Sequence, residues 1–242
     1  MSSGGVTMVA VGGHIGDMDL AAGPVLAQNV LAGGRSILLA LTPGERGHPR
    51  LSVPEYAAQK LSEGRAFADA IGAEFYCWED QSDGFLVHDE ALAQRLALTL
   101  RRWRPDVLIA HWHHSMHPDH ENASRLAVRA RLLSGLPGWH TDGEDPEHQR
   151  HGIPHLLFAE NWEDEEGFRP TTHVPVSAEA HERWRGAIEG EAFARGETYG
   201  FRYVDYYTAQ QVMRGCKAYA EFAVAFATEW PYFTEPARFV TT

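Results

Sequence analysis

Two groups of residues in this sequence have the types and the spacing for metal chemistry. His14 and Asp17 follow the apolar run Val6 to Val11 and the pair Gly12-Gly13. Imidazole and carboxylate together form a donor pair compatible with zinc. The second group is denser: His111, His113, His114, His117 and His120 crowd the stretch after another apolar run, Val107 to Ala110. His117 and His120 are three apart, so at a helix start both can face one cavity. One can then bind metal while the other gives or takes a proton. Asp119, between them, can orient an imidazole and raise its basicity. A histidine-rich surface loop is the plainer account, but both groups begin where an apolar run ends.

Those apolar runs indicate what must position the groups. Val6 to Val11, Arg35 to Leu41, Ala73 to Trp78 and Val107 to Ala110 read as strands. Helical patterns separate them: Leu20 to Leu31, Pro54 to Ile71 and Glu90 to Arg104. Strand and helix in alternation imply parallel crossovers with helices on both faces of the sheet. Ligands in such folds gather at the carboxyl ends of the strands. Gly12-Gly13-His14 is not the complete glycine fingerprint of a dinucleotide site. The expected architecture is α/β, a Rossmann-like three-layer sandwich with a mostly parallel sheet, in one domain covering residues 1–242.

Beyond the second group, a helix is expected from Asp119 to Leu133. Residues 135–152 are rich in glycine and proline without a period and read as a loop or lid. His155 to Phe158 and Thr172 to Val176 are further strand candidates, and Ser177 can cap a helix running towards Phe193. Tyr203 to Gly215 and Cys216 to Trp230 are both helix-compatible. Their aromatic density suggests packing and admits a homo-oligomer interface.

Composition narrows the function. Lys and Arg number 21 against 33 Asp and Glu, a formal charge of -12, which argues against a nucleic-acid or anionic-membrane partner. With Cys77 and Cys216 as the whole thiol inventory there is neither a disulfide framework nor a Cys-x-x-Cys knuckle. No long apolar run suits a membrane span and no signal-peptide pattern opens the chain, so a cytoplasmic protein is expected.

Taken in order, the motifs resemble those of the LmbE-like, or PIG-L-like, N-acetylglucosaminyl deacetylase family. His14-Ile15-Gly16-Asp17-Met18-Asp19 stands where that family carries His-Pro-Asp-Asp-x-Glu. His117-Pro118-Asp119-His120 matches its His-x-Asp-His motif. Thr42 to Gly47 resembles its loop after the second strand, and Tyr219 to Phe222 its C-terminal signature. The resemblance implies zinc, or another divalent transition metal, held by His14, Asp17 and His120. It also implies hydrolysis of the acyl group, acetyl foremost, on an amino sugar or related small amide. His117 would stabilise the oxyanion or protonate the leaving amine, with Asp119 orienting it.

One departure matters. The family's general base falls at Gly16, which has no side chain to accept a proton. Asp19 stands nearby but suits a helix-capping role better. Glu45 and Asp119 are the candidates to replace the base. Arg46, His48, Asp83, Trp112 and Asn161 are candidate substrate contacts, each with an ordinary surface or packing role as its alternative. Two further readings stay open: a hydrolase of another amide or ester, and an inactive zinc- or carbohydrate-binding protein.

Overall fold

Alternation along the central strands decides which side chains each face of the sheet buries. A computed structural model describes residues 5–228 apart from 141 and 165. Within it, β1 (Thr7–His14), β2 (Arg35–Thr42), β3 (Glu74–Cys77), β4 (Val107–Ala110) and β5 (His155–Ala159) run parallel. Met8, Ala10, Leu38 and Ile109 point to one face, and Val9, Val11, Ile37, Leu39 and Leu108 to the other. All nine are within 3% of fully buried. A parallel sheet covered on both faces requires this doubly apolar pattern.

The first face packs against α1 (Asp17–Ala21), α2 (Gly23–Leu31), α3 (Val53–Ile71), α6 (Ala178–Ile188) and α7 (Tyr203–Ala218). The second packs against α4 (Glu90–Trp103) and α5 (Pro118–Gly135). The result is the expected three-layer sandwich. Local sequence sets several boundaries. Ser52 and Glu55 form a capping box at α3, and Gly72 ends it at φ 79°. Asp89 caps α4 through the Leu92 amide at 2.8 Å. Pro24, one residue inside α2, restarts the helix that the periodicity suggests is continuous from Leu20.

With β6 (Thr172–Val176) and β7 (Phe222–Thr228) included, the sheet order is β3-β2-β1-β4-β5-β7-β6. Chain direction across the sheet reverses between β1 and β4, which makes a crevice at their carboxyl ends. His14 ends β1 and His111 follows β4, so the topology brings both sequence groups to that crevice.

Two expectations need correction. Cys216 to Trp230 is not a helix: α7 ends at Ala218, and Phe222–Thr228 forms β7, antiparallel to both β5 and β6 (Thr172–Val176). Residues 223–227 are buried by neighbours on both sides, and a short run that is apolar throughout has no period to separate strand from helix. Trp230 lies outside the described residues. The helix after Ser177 also stops at Ile188 rather than near Phe193, with Glu189-Gly190 ending it. Among the described residues no helix is long and apolar enough to cross a membrane.

Candidate metal centre

Three donor atoms meet at the crevice. His14 Nδ1 lies 3.3 Å from Asp17 Oδ2, Asp17 Oδ2 lies 3.2 Å from His120 Nε2, and His120 Nε2 lies 3.3 Å from His14 Nδ1. A tetrahedral zinc ion with arms of about 2.0–2.1 Å separates its ligands by about 3.3–3.4 Å. The triangle therefore has the dimensions that the ion requires, and its donors come from β1, the start of α1 and the first turn of α5.

Carboxylates stand behind each imidazole. His14 Nε2 faces Asp119 Oδ2 at 3.2 Å and Asp83 Oδ1 at 3.2 Å. Asp119 Oδ2 is held in turn by the Gly84 amide at 2.7 Å. His120 Nδ1 faces Ser115 Oγ and Glu163 Oε2, each at 3.3 Å. Such partners fix tautomer and ring orientation for a metal ligand. Buried His111 links Asp164, at 3.2 Å from Nδ1, to Asp17, at 3.1 Å from Nε2, and the Gly13 amide points at the same Nε2. Three overlapping sets of donors also lie within 4.8 Å of one another: His14, His117 and His120; Asp17, His111 and His120; and His14, Asp83 and Asp119.

The electrostatics favour a cation at the centre. Burial disfavours charge on His14, but the Asp17 charge and hydrogen bonds from the imidazole to Asp119, Asp17 and Asp83 outweigh it and raise its pKa well above the ordinary histidine value. Burial opposes charge on His120 too, yet Asp17 and Asp164 lift its pKa to about 9. Against its own burial, Asp17 is held well below the carboxylate range by His120 and His14. His111 and His120 likewise overcome burial to bring Asp164 down to about 2.

His117 caps α5, its Nδ1 accepting from the Asp119 amide at 3.2 Å. In a neutral ring the proton therefore sits on Nε2, which lies 3.9 Å from Asp83 Oδ1 on the cavity side. Burial, with His14 and His120 adding to it, lowers the His117 pKa.

These groups open into a cavity of about 450 Å³. Its lining includes Asp83 and Glu163 with His14, Asp17, His117 and His120, and also Tyr56, Lys60, Phe193, Tyr199 and Phe201. A larger cavity, about 730 Å³, lies beside α5 between Arg129, Leu132, Leu136 and Ile153 and holds none of the three donors. Gly135 and Gly152, the ends of the expected lid, line that second cavity. The buried Arg101 guanidinium binds the carbonyls of Ser134, Leu136 and His140 in the same segment.

The structure gives the other expected site residues mixed places. The Asp119 carboxylate orients His14 rather than His117, since only its amide reaches His117. Glu45 is buried and turned to Ser82 and the Asp83 amide, where it braces the turn carrying Asp83. Both candidate replacement bases therefore already have partners. Arg46 binds Ser82 and lies over Phe85, outside the cavity wall. His48 accepts the Arg50 and Leu51 amides, and Trp112 packs against Phe158 and Phe168; neither lines the cavity. Asn161 does line it, with its Oδ1 bound to the Tyr207 hydroxyl at 2.8 Å. Asp19 takes the capping role, accepting the Gly16 amide at 2.8 Å. Glu163 and Lys60 are absent from the expected set. Glu163 was within reach of sequence reasoning, because it follows β5 onto the same sheet edge. Lys60 gave no signal, because it sits inside a helical pattern.

Next to Asp19, Glu191 is 1% exposed and neither of its carboxylate oxygens has a partner. Burial, reinforced by the Asp19 charge, raises its pKa well above the ordinary glutamate value. The folded protein thus holds a proton that the unfolded chain releases, and this contribution to stability falls as pH rises from the ordinary glutamate range through the raised pKa. Glu191→Gln carries no such proton. The melting temperature of the variant should gain on the wild type between pH 5 and pH 8, at about 2–4 °C for each kcal/mol. An unchanged difference across that range would contradict this account.

The sandwich is shared with several solved structures. The conserved protein TT1542 from Thermus thermophilus is 27% identical, with TM-score 0.78 over 95% of this chain and 97% of that one. GalB, the 4-carboxy-2-hydroxymuconate hydratase from Pseudomonas putida KT2440, is 22% identical, with TM-score 0.81 over 95% and 98%. N,N'-diacetylchitobiose deacetylase from Pyrococcus horikoshii is 18% identical, with TM-score 0.76 over 96% and 87%. No curated protein sequence gives a match. Residues 9–131 match the PIG-L family, described as GlcNAc-PI de-N-acetylase. The class is therefore that of the hydrolytic N-deacetylases. Within it, this chain belongs to the PIG-L family.

Proposed function

We propose that this chain is a zinc-dependent deacetylase that removes an acyl group, acetyl foremost, from a small N-acylated amino sugar or a related amide. The observation that carries the reading is the triangle of His14, Asp17 and His120 donors, 3.2–3.3 Å on each edge, at the wall of a cavity. Bound there, zinc would polarise the acyl carbonyl and lower the pKa of a water molecule.

The side chains supply the rest. Asp119 and Asp83 hold the His14 ring, while Ser115 and Glu163 hold His120. His117 presents Nε2–H to the cavity, where it stabilises negative charge on the carbonyl oxygen. Glu163, which lines the cavity with one carboxylate oxygen facing His120, accepts the proton from water and passes it to the leaving amine. The aromatic residues of the lining suit the apolar face of a sugar ring.

Acetate release from N-acetylglucosamine by the zinc-loaded protein, lost on chelation and regained with zinc, tests the reading. Glu163→Gln, assayed at saturating zinc, should lower kcat by about 10²–10⁴-fold, the usual worth of a positioned base. An unchanged kcat would remove Glu163 from the proton path.

One observation favours a second reading. Gly16 leaves the metal edge without the family's usual carboxylate, and GalB, which shares the fold, is named a hydratase. Water added across an activated double bond by zinc-loaded protein that releases no acetate from any N-acetylated sugar would favour it.

A further inference from the structure

Gly16 stands beside a buried lysine. A Cβ built at Gly16 would lie 3.1 Å from Lys60 Nζ and 2.3 Å from Phe193 Cζ. The Lys60 ammonium rests on the Phe193 ring at 3.8 Å from its centroid. Gly16, Phe193 and Lys60 are thus one packed unit where the family's base would project.

Lys60 is 4% exposed and lines the cavity that the metal donors face. It is the one lysine or arginine among the described residues of that lining. Acids surround its other side, and neutralising them is the role to weigh first. Its charge acts on them at a distance, working against burial to favour the ionised forms of Asp19 and Glu191, but direct contacts do not complete that role. Asp19 Oδ1, Glu63 Oε2 and both Glu191 oxygens are buried without a hydrogen-bond partner. Asp19 Oδ2 is taken by the Gly16 amide, and Glu63 Oε1 by Gln59 and the Ala192 amide. Among the described residues no carboxylate oxygen lies within 4.0 Å of Lys60 Nζ, and no hydrogen bond uses its donors. An ammonium carries three donors, and leaving a buried charge unpaired is costly. The aromatic face beneath it supports the charge without using any N–H.

We infer that Lys60 binds an anionic substituent of the substrate, a carboxylate or a phosphate, inside the cavity and next to the metal edge. The loss of a side chain at position 16 is then half of the arrangement: it removes a carboxylate that would compete for the ammonium and admits the Phe193 ring that supports it. The inference rests on the proposed function only in taking this cavity as the substrate site. It narrows the substrate class to N-acylated compounds that carry a negative charge.

The test compares binding of three probes to the zinc-loaded full chain by calorimetry. N-acetylglucosamine is neutral, N-acetylmuramic acid is the same sugar with a carboxylate, and N-acetylglucosamine 6-phosphate carries a phosphate. At least one anionic probe should bind about tenfold or more tighter than the neutral sugar, the order expected for a charge-assisted hydrogen bond. Which one does so identifies the anion. Lys60→Met keeps the length of the side chain and should abolish the preference, and Lys60→Arg should retain most of it. Equal affinity for all three, no binding of any, or a preference that survives in Lys60→Met would overturn the inference. The wild-type comparison decides even if Lys60→Met does not fold. Acetate release, followed separately, keeps the two claims apart. A preference without turnover refutes the deacetylase reading and leaves the anion site standing, while turnover without a preference does the reverse.

Discussion

His120→Ala should purify without zinc and without activity. His120 supplies one corner of the donor triangle from the first turn of α5, 3.2 Å from Asp17 and 3.3 Å from His14. Two donors and no third leave the ion open to water, and the other imidazoles nearby are engaged: His111 stands between Asp164 and Asp17, and His117 caps α5 through the Asp119 amide. Asp119→Asn provides the scale. Its carboxylate reaches the back of His14 and the Gly84 amide rather than the metal edge, and loss of such a partner typically costs about 10–100-fold in metal affinity or activity. His120→Ala should exceed that range, with metal analysis and chelator competition as the readouts. The same centre sets a pH dependence. His120 keeps its proton until about pH 9, and His14 is also raised. Metal must displace those protons, so zinc affinity should climb as pH rises from about 6 towards 9. Full zinc occupancy in His120→Ala, or affinity that falls with pH over this interval, would remove the three-donor centre.

The donor cluster was legible because His14 and Asp17 stand at the end of β1 and His120 lies in the segment that leaves β4, and strand ends are where apolar runs stop. Topology then did the assembling: β1 and β4 are neighbours in the sheet although they lie far apart in the chain. The supporting contacts were harder to foresee. That Asp119 turns to His14 rather than to adjacent His117 follows from α5 taking its cap from His117, which directs the Asp119 amide to that ring and its carboxylate elsewhere. Glu45 gave a false lead because it sits in the right loop with the right chemistry, yet its carboxylate is buried against the Ser82–Asp83 turn. β7 was hidden for a different reason. A strand enclosed by neighbours on both edges and covered on both faces is apolar at every position, and no alternation separates it from a buried helix. Lys60 has helical spacing among polar residues, and only the packed structure places it beside Gly16.

Gly16→Asp tests whether the missing base can simply be put back, and the expected result is that it cannot. Gly16 has φ 103°, outside the conformations that side chains readily adopt. Asp tolerates positive φ better than most residues, so the backbone cost is about 1 kcal/mol. The larger cost is steric. The new Cβ would lie 2.3 Å from Phe193 Cζ and 2.6 Å from Cε1, and that ring is 8% exposed in the core with Lys60 on its face. Overpacking of this kind costs about 1–3 kcal/mol, and the two effects together should lower the melting temperature by about 5–15 °C. A carboxylate pushed in here also meets the Lys60 ammonium before it meets any water at the metal edge, so acetate release should not rise. Gly16→Asp combined with Phe193→Ala separates the causes. Removing the ring makes room, so the double variant should be more stable than the sum of the single changes predicts. Such coupling is expected only for residues in contact. Simple additivity would mean that Phe193 is not the obstacle. A Gly16→Asp protein of unchanged melting temperature and higher activity would mean that the cavity accepts the family's base, and that its absence is not built into the packing around Lys60.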